Sequence, residues 1–182
     1  MTTIAVEPPA DPDLVDLPNF LATPHIGGSA EEALTRDWVA SVEVLAADGS
    51  GWSALAPMGT ARNAPAAAVL PCGKVLVAGG QPARQADSAV KTAELWDPAT
   101  GAWSDLPPMA HARRGAGCCV LPSGRVAVVG GIGSDDQART DGEVFDPVAR
   151  TWQPLPPMAH ARRGHGVVAV AGGLVAVGGN NN

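Results

Sequence analysis

The sequence predicts a mainly β protein assembled from a repeat of about fifty residues, each unit holding four short strands. Three observations carry that prediction. Trp52, Trp103 and Trp152 fall 51 and 49 residues apart, and Met58, Met109 and Met158 keep step with them, each after a proline. The glycine pairs Gly79-Gly80, Gly130-Gly131 and Gly178-Gly179 follow at 51 and 48. The segment Leu106 to Gly115 is identical to Leu155 to Gly164. Self-similarity at one fixed period marks an array of like units, each too small to bury its own apolar face.

Taken in order, the chain opens with a short strand at Phe20 to Thr23 and a turn. Ser29 with Glu32 three residues on forms a capping box, which starts a helix at Ala30. Leu34, Trp38, Val42 and Leu45 lie at steps of 4, 4 and 3, one helical face. Ala46 to Gly51 reads as a linker. The first full unit then has strands at Ala66 to Leu70, Lys74 to Ala78, Ala93 to Trp96 and Trp103 to Leu106. They are short and bounded by glycine, Asp-Pro or Pro-Pro, which suits strands and not helices. The second unit repeats them at Gly117 to Leu121, Arg125 to Val129, Glu143 to Phe145 and Trp152 to Leu155. The expected boundaries are a tail over 1–46, a linker over 47–51, and repeats over 52–182 with units near 65–106, 116–155 and, in part, 165–182.

Composition excludes several classes. The net charge of -6 is uneven: residues 1–50 hold nine acids and one base, whereas residues 51–182 hold nine acids and eleven bases. Neither part is basic enough for nucleic acid. No run of eighteen apolar residues points to a membrane span, and the acidic, proline-bearing start is unlike a secretory signal, so a cytoplasmic location is expected. Three cysteines, two of them adjacent, make no disulfide framework. Cys118 and Cys119 should face opposite sides of one strand, with Cys72 in a turn. There is no tyrosine, so no chemistry that needs one.

In residues 51–182 a strand ends in Gly-Gly. A variable loop and Glu-x-aromatic-Asp-Pro follow (Glu94 to Pro98, Glu143 to Pro147), then a tryptophan, Leu-Pro-Pro-Met and an arginine. This order resembles the kelch repeat. The resemblance implies four-stranded blades of a β-propeller, here incomplete: two full blades plus partial ones, behind an N-terminal strand-turn-helix segment. Trp96 and Phe145 replace the usual tyrosine before Asp-Pro. The expected structural roles are clear. The three repeat tryptophans fill the space where blades diverge, Gly-Gly allows positive φ or close packing, and Asp before Pro accepts backbone N–H groups in the turn. A propeller closes with about 4–8 blades, so the segment leaves blade faces uncovered at both ends. A fragment of a longer protein is the favoured explanation, with self-association that covers exposed blade edges as another.

Residues 5–46 carry Pro24-His25-Ile26-Gly27 ahead of the expected helix. The stretch resembles the end of the NAD-binding domain of D-isomer-specific 2-hydroxyacid dehydrogenases, the family of phosphoglycerate dehydrogenase. The resemblance implies that His25 stands at the position of a general acid/base. A Gly-x-Gly-x-x-Gly turn between a strand and a helix is missing, and with it the cradle for a pyrophosphate. NAD and a catalytic His25 therefore belong only to an alternative reading, as a remnant oxidoreductase.

The leading expectation is a non-catalytic module with no cofactor and no metal, which binds a protein or an acidic peptide or ligand. Arg62, Arg113, Arg114, Arg162 and Arg163 occupy equivalent loops between the outer strand of one blade and the inner strand of the next. Such loops emerge on one face, and guanidinium groups gathered there suit carboxylates. The competing expectation for Arg62, Arg113 and Arg162 is a bond to backbone carbonyls between blades; Asn63 stands where the first unit lacks a second arginine. His111 and His160 are repeat equivalents in different blades, which argues against a shared metal. A kelch-type enzyme such as a sugar epimerase is a further alternative, with no residues to assign.

Overall fold

The computed structural model describes residues 40–82 and 89–181. The expected strand at Phe20 to Thr23, His25 and most of the expected helix lie outside the described residues. Twelve strands follow one another without a helix among the described residues: β1 (Val42–Leu45), β2 (Trp52–Leu55), β3 (Ala66–Val69), β4 (Val75–Ala78), β5 (Ala93–Asp97), β6 (Ala102–Leu106), β7 (Gly117–Val120), β8 (Val126–Val129), β9 (Gly142–Asp146), β10 (Thr151–Leu155), β11 (Gly166–Val170) and β12 (Gly173–Val177). The sheets are two antiparallel four-stranded meanders, β3-β4-β5-β6 and β7-β8-β9-β10, and two pairs, β1-β2 and β11-β12. The chain is an incomplete β-propeller of two full blades and two half blades.

Each expected strand of the full blades is present to within a residue or two. The turns follow the chemistry of their residues. Asp97 Oδ1 accepts the Ala99 N–H, and Asp146 Oδ1 accepts those of Val148 and Ala149. The inner strands of neighbouring blades lie side by side, β3 next to β7 and β7 next to β11, as wedges around an axis require. The Cys118 thiol reaches across that seam to the Ala67 carbonyl at 2.9 Å. Cys118 packs on the core between the two full blades and Cys119 on the core beyond the second, so the pair does face opposite ways. Cys72 sits exposed in a turn.

Two apolar layers hold the blades. The first joins the full blades through Leu76, Leu95, Met109, Val126, Val128 and Phe145, all buried. The second joins the second blade to β11-β12 through Ala127, Val129 and Val167. The glycine pairs sit at these seams. Gly79 has φ +70°, and a Cβ there would stand 2.3 Å from the Arg113 carbonyl oxygen of the next blade. Gly130, at φ +66°, would meet the Arg162 carbonyl oxygen at 2.6 Å. Both reasons for glycine therefore operate together. The adjoining Gly80 and Gly131 donate their N–H groups to those carbonyls at 2.8 and 2.9 Å.

The tryptophans stitch the outer rims. Trp103 Nε1 donates to the Ala56 carbonyl and Trp152 Nε1 to the Pro107 carbonyl, both at 2.8 Å, each across to the preceding blade. Trp52 departs from the expected filling role: with no blade ahead of it among the described residues, it is 55% exposed.

One expectation is corrected. Val42 and Leu45, assigned to a helical face, form β1, which pairs with β2 from Val42↔Leu55 to Leu45↔Trp52. Ala46 to Gly51 is the turn of this hairpin, closed by the Ala46 N–H to the Gly51 carbonyl. Leu45↔Trp52 has the register of Trp96↔Trp103 and Phe145↔Trp152. Met58 N–H donates to the Ala40 carbonyl as Met109 does to Lys91 and Met158 to Thr140. The hairpin is thus the outer half of a blade.

Candidate functional site

Each loop from outer to inner strand carries an arginine that the fold consumes. Arg62 is buried. It donates to the Gly79 carbonyl at 2.8 Å and the Thr92 carbonyl at 3.0 Å, and pairs with Glu94 Oε1 at 2.8 Å. Arg113, 1% exposed, repeats this with the Gly130 and Asp141 carbonyls and with Glu143 at 3.1 Å, and adds Asp141 Oδ2 at 2.8 Å. Glu94 also accepts the N–H groups of Gly59 and Thr60, and Glu143 those of Ala110 and His111. Each glutamate therefore fixes the loop that enters its own blade. Arg162 keeps only the first part of the pattern, a 2.7 Å bond to the Gly178 carbonyl. The expectation that Arg62 and Arg113 are free for a ligand does not survive this geometry, because their donors face inward and are largely used.

The second arginine of each loop behaves differently. Asn63, Arg114 and Arg163 form isolated backbone bridges with Gln81, Ile132 and Asn180, each just past a glycine pair. Their loops meet near the axis: the Gly115 N–H donates to the Ala64 carbonyl and the Gly164 N–H to the Gly115 carbonyl. Arg114 reaches Gln81 Oε1 at 2.7 Å on one side and the exposed Asp136 on the other. Arg163 is half-buried, and its side chain makes no ion pair among the described residues.

His111, Asp141 and Glu143 bring ligand atoms within 4.8 Å of one another. These acceptors are already engaged. Arg139 Nε lies 2.7 Å and Arg113 2.8 Å from Asp141, and His111 Nδ1 is 2.8 Å from it. Burial pushes the Asp141 carboxyl up, but the bonds and charges of Arg139 and Arg113, with His111, outweigh it and hold the group well below the usual range. Two guanidinium groups at one carboxylate oppose a cation, so the cluster is an ion-pair network. Beside it a shallow groove of about 520 Å³ runs between Val90, Lys91, His111 and Arg139. Burial raises the Cys118 thiol to about 11, which makes it a poor nucleophile. His165 is buried with neither ring nitrogen bonded among the described residues; burial, then the charge of Arg162, lowers it below the ordinary histidine range.

This geometry defines a radial array of four-stranded blades latched by arginine–glutamate pairs. Residues 62–110 and 112–159 match the Kelch motif, just over half of the 182 residues, and the chain belongs to that family. The solved structure of YjhT is similar, with a TM-score of 0.58 at 17% identity, over 66% of this chain and 47% of that one. No curated protein matches the chain. Among the described residues no helix is long and apolar enough to cross a membrane.

The sequence placed the arginines in equivalent loops and offered Arg62, Arg113 and Arg162 a structural alternative on backbone carbonyls, but it did not foresee that Arg62 and Arg113 pair with the glutamates of their own blades. The signal was present in the spacing: Glu94 follows Arg62 by 32 residues, and Glu143 follows Arg113 by 30.

Proposed function

We propose that this protein is a non-catalytic binding module that takes an acidic peptide segment of a protein partner on its loop face, through Arg114 and Arg163. Kelch repeats commonly mediate protein interactions, which supports the class of function. The observation that carries the residue assignment is the contrast within each loop. The first arginine turns toward the blade, where Arg62 and Arg113 are buried and Arg162 bonds the Gly178 carbonyl, whereas the second lies at the axial end of the loop face. Arg114 is paired there with an exposed carboxylate, and Arg163 has no ion pair among the described residues. A ligand carboxylate can take the place of Asp136 at the planar guanidinium fork with little rearrangement, and can use Arg163 directly. Charge-assisted bonds of this kind contribute about 1.5–3 kcal/mol each.

The test is fluorescence anisotropy with a labelled Glu/Asp-rich peptide. The native protein should bind it, more weakly as salt rises. Arg114→Glu with Arg163→Glu should cost on the order of a hundredfold in affinity. Unchanged binding by the double variant contradicts the assignment.

A further inference from the structure

The two half blades are complementary. The pair β11-β12 supplies the two inner strands of a blade, equivalent to β3-β4 and β7-β8. The pair β1-β2 supplies the two outer strands, equivalent to β5-β6 and β9-β10. They lie at opposite ends of the array, separated by two full blades.

The unused polar groups complement each other as well. Arg162 has no glutamate among the described residues and bonds only the Gly178 carbonyl, whereas Arg62 and Arg113 pair with Glu94 and Glu143. The N–H groups of Ala159 and His160, equivalents of Ala110 and His111, have no acceptor among the described residues. Glu43 stands 51 residues before Glu94, on the strand equivalent to β5, and is exposed. At one end a set of donors lacks its carboxylate; at the other that carboxylate lacks its donors.

The apolar groups tell the same story. Carrying over the pairing of Leu76 with Leu95 and of Ala127 with Val144 would set Val175 opposite Val44. Those earlier residues are all buried, yet Val175 and Val44 are each 41% exposed. Val177, 58% exposed, would fall opposite Val42.

We propose that two copies of this chain join edge to edge, β12 of each pairing antiparallel with β1 of the other, so that each junction is a four-stranded blade made by two chains. Glu43 of one copy then closes on Arg162 and the Ala159–His160 backbone of the other. The twelve described strands, at four per blade, make three blades, so two copies make a ring of six. That lies within the usual range of about 4–8, whereas three blades closing on themselves would not. The two junctions are alike by symmetry, as an isologous dimer requires.

The test is the mass of the full chain by analytical ultracentrifugation at micromolar concentration. The native protein should sediment as twice the mass of the 182-residue chain. Glu43→Arg alone and Arg162→Glu alone should each give single chains, since each places like charges at both junctions. Mixed in equal amounts, the two variants should restore the dimer, because one junction is then native and the other has its charges exchanged. Loss of folding cannot mimic that rescue. A single-chain mass for the native protein overturns the proposal and leaves the edges to strands from elsewhere. A dimer that survives either variant, or a mixture that stays monomeric, overturns the Glu43–Arg162 junction.

Discussion

At the residue scale the fold rests on a few buried charges, each held by several partners. Arg113 has a side chain closed to solvent, two backbone carbonyls and two carboxylates. Removing one partner of such a set leaves the other charge buried and costs about 3–5 kcal/mol. Glu143→Gln should therefore lower unfolding stability by that order in urea melts. Glu43→Gln, at an exposed site, should cost a single chain under about 1 kcal/mol. His165 gives the molecule a pH dependence. Its folded pKa is lowered, so the unfolded chain binds the proton more readily. Stability is then constant above the unfolded value of about 6.5 and falls as pH drops beneath it, down to the folded pKa. Thermal melts between pH 8 and 5 should show that slope, and His165→Gln should flatten it.

At the scale of the element, the seam between blades depends on glycine as a shape. Gly79→Ala sets a methyl group 2.3 Å from a carbonyl oxygen at a φ that alanine disfavours by about 1–2 kcal/mol, so the total loss should exceed that figure. Gly101→Ala is the control. It has a similar φ of +69° but open space around it, and should cost only the conformational part, read in the same melts. The strands of the full blades were legible because Gly-Gly, Asp-Pro and Pro-Pro punctuate them and the period repeats. β1 was not. Leu34, Trp38, Val42 and Leu45 happen to fall at helical steps, while Val42 to Leu45 alone also reads as an alternating strand. The deciding mark was Glu43, one period ahead of Glu94, whose meaning lies in an arginine that only the folded sheet brings near. The candidate site was legible to the same extent: the loops were visible in the repeat, but the division of labour within Arg113-Arg114 depends on which side chain turns into the blade.

At the scale of the whole molecule, the blades act as one body because each hands its neighbour a backbone bond, an indole bond and an apolar face. That cooperativity is what distinguishes wedges around an axis from separate hairpin sheets on a string. Residue-resolved amide hydrogen exchange by NMR tests it most directly, at the N–H groups of Gly80 and Gly131, which leave their own sheets to bond the carbonyls of Arg113 and Arg162. Protection at both positions close to that of the buried strands β4 and β8 is the predicted result. Exchange at Gly80 and Gly131 as fast as in an open loop, while β4 and β8 stay protected, would mean that the blades are not latched to one another and would contradict the radial arrangement.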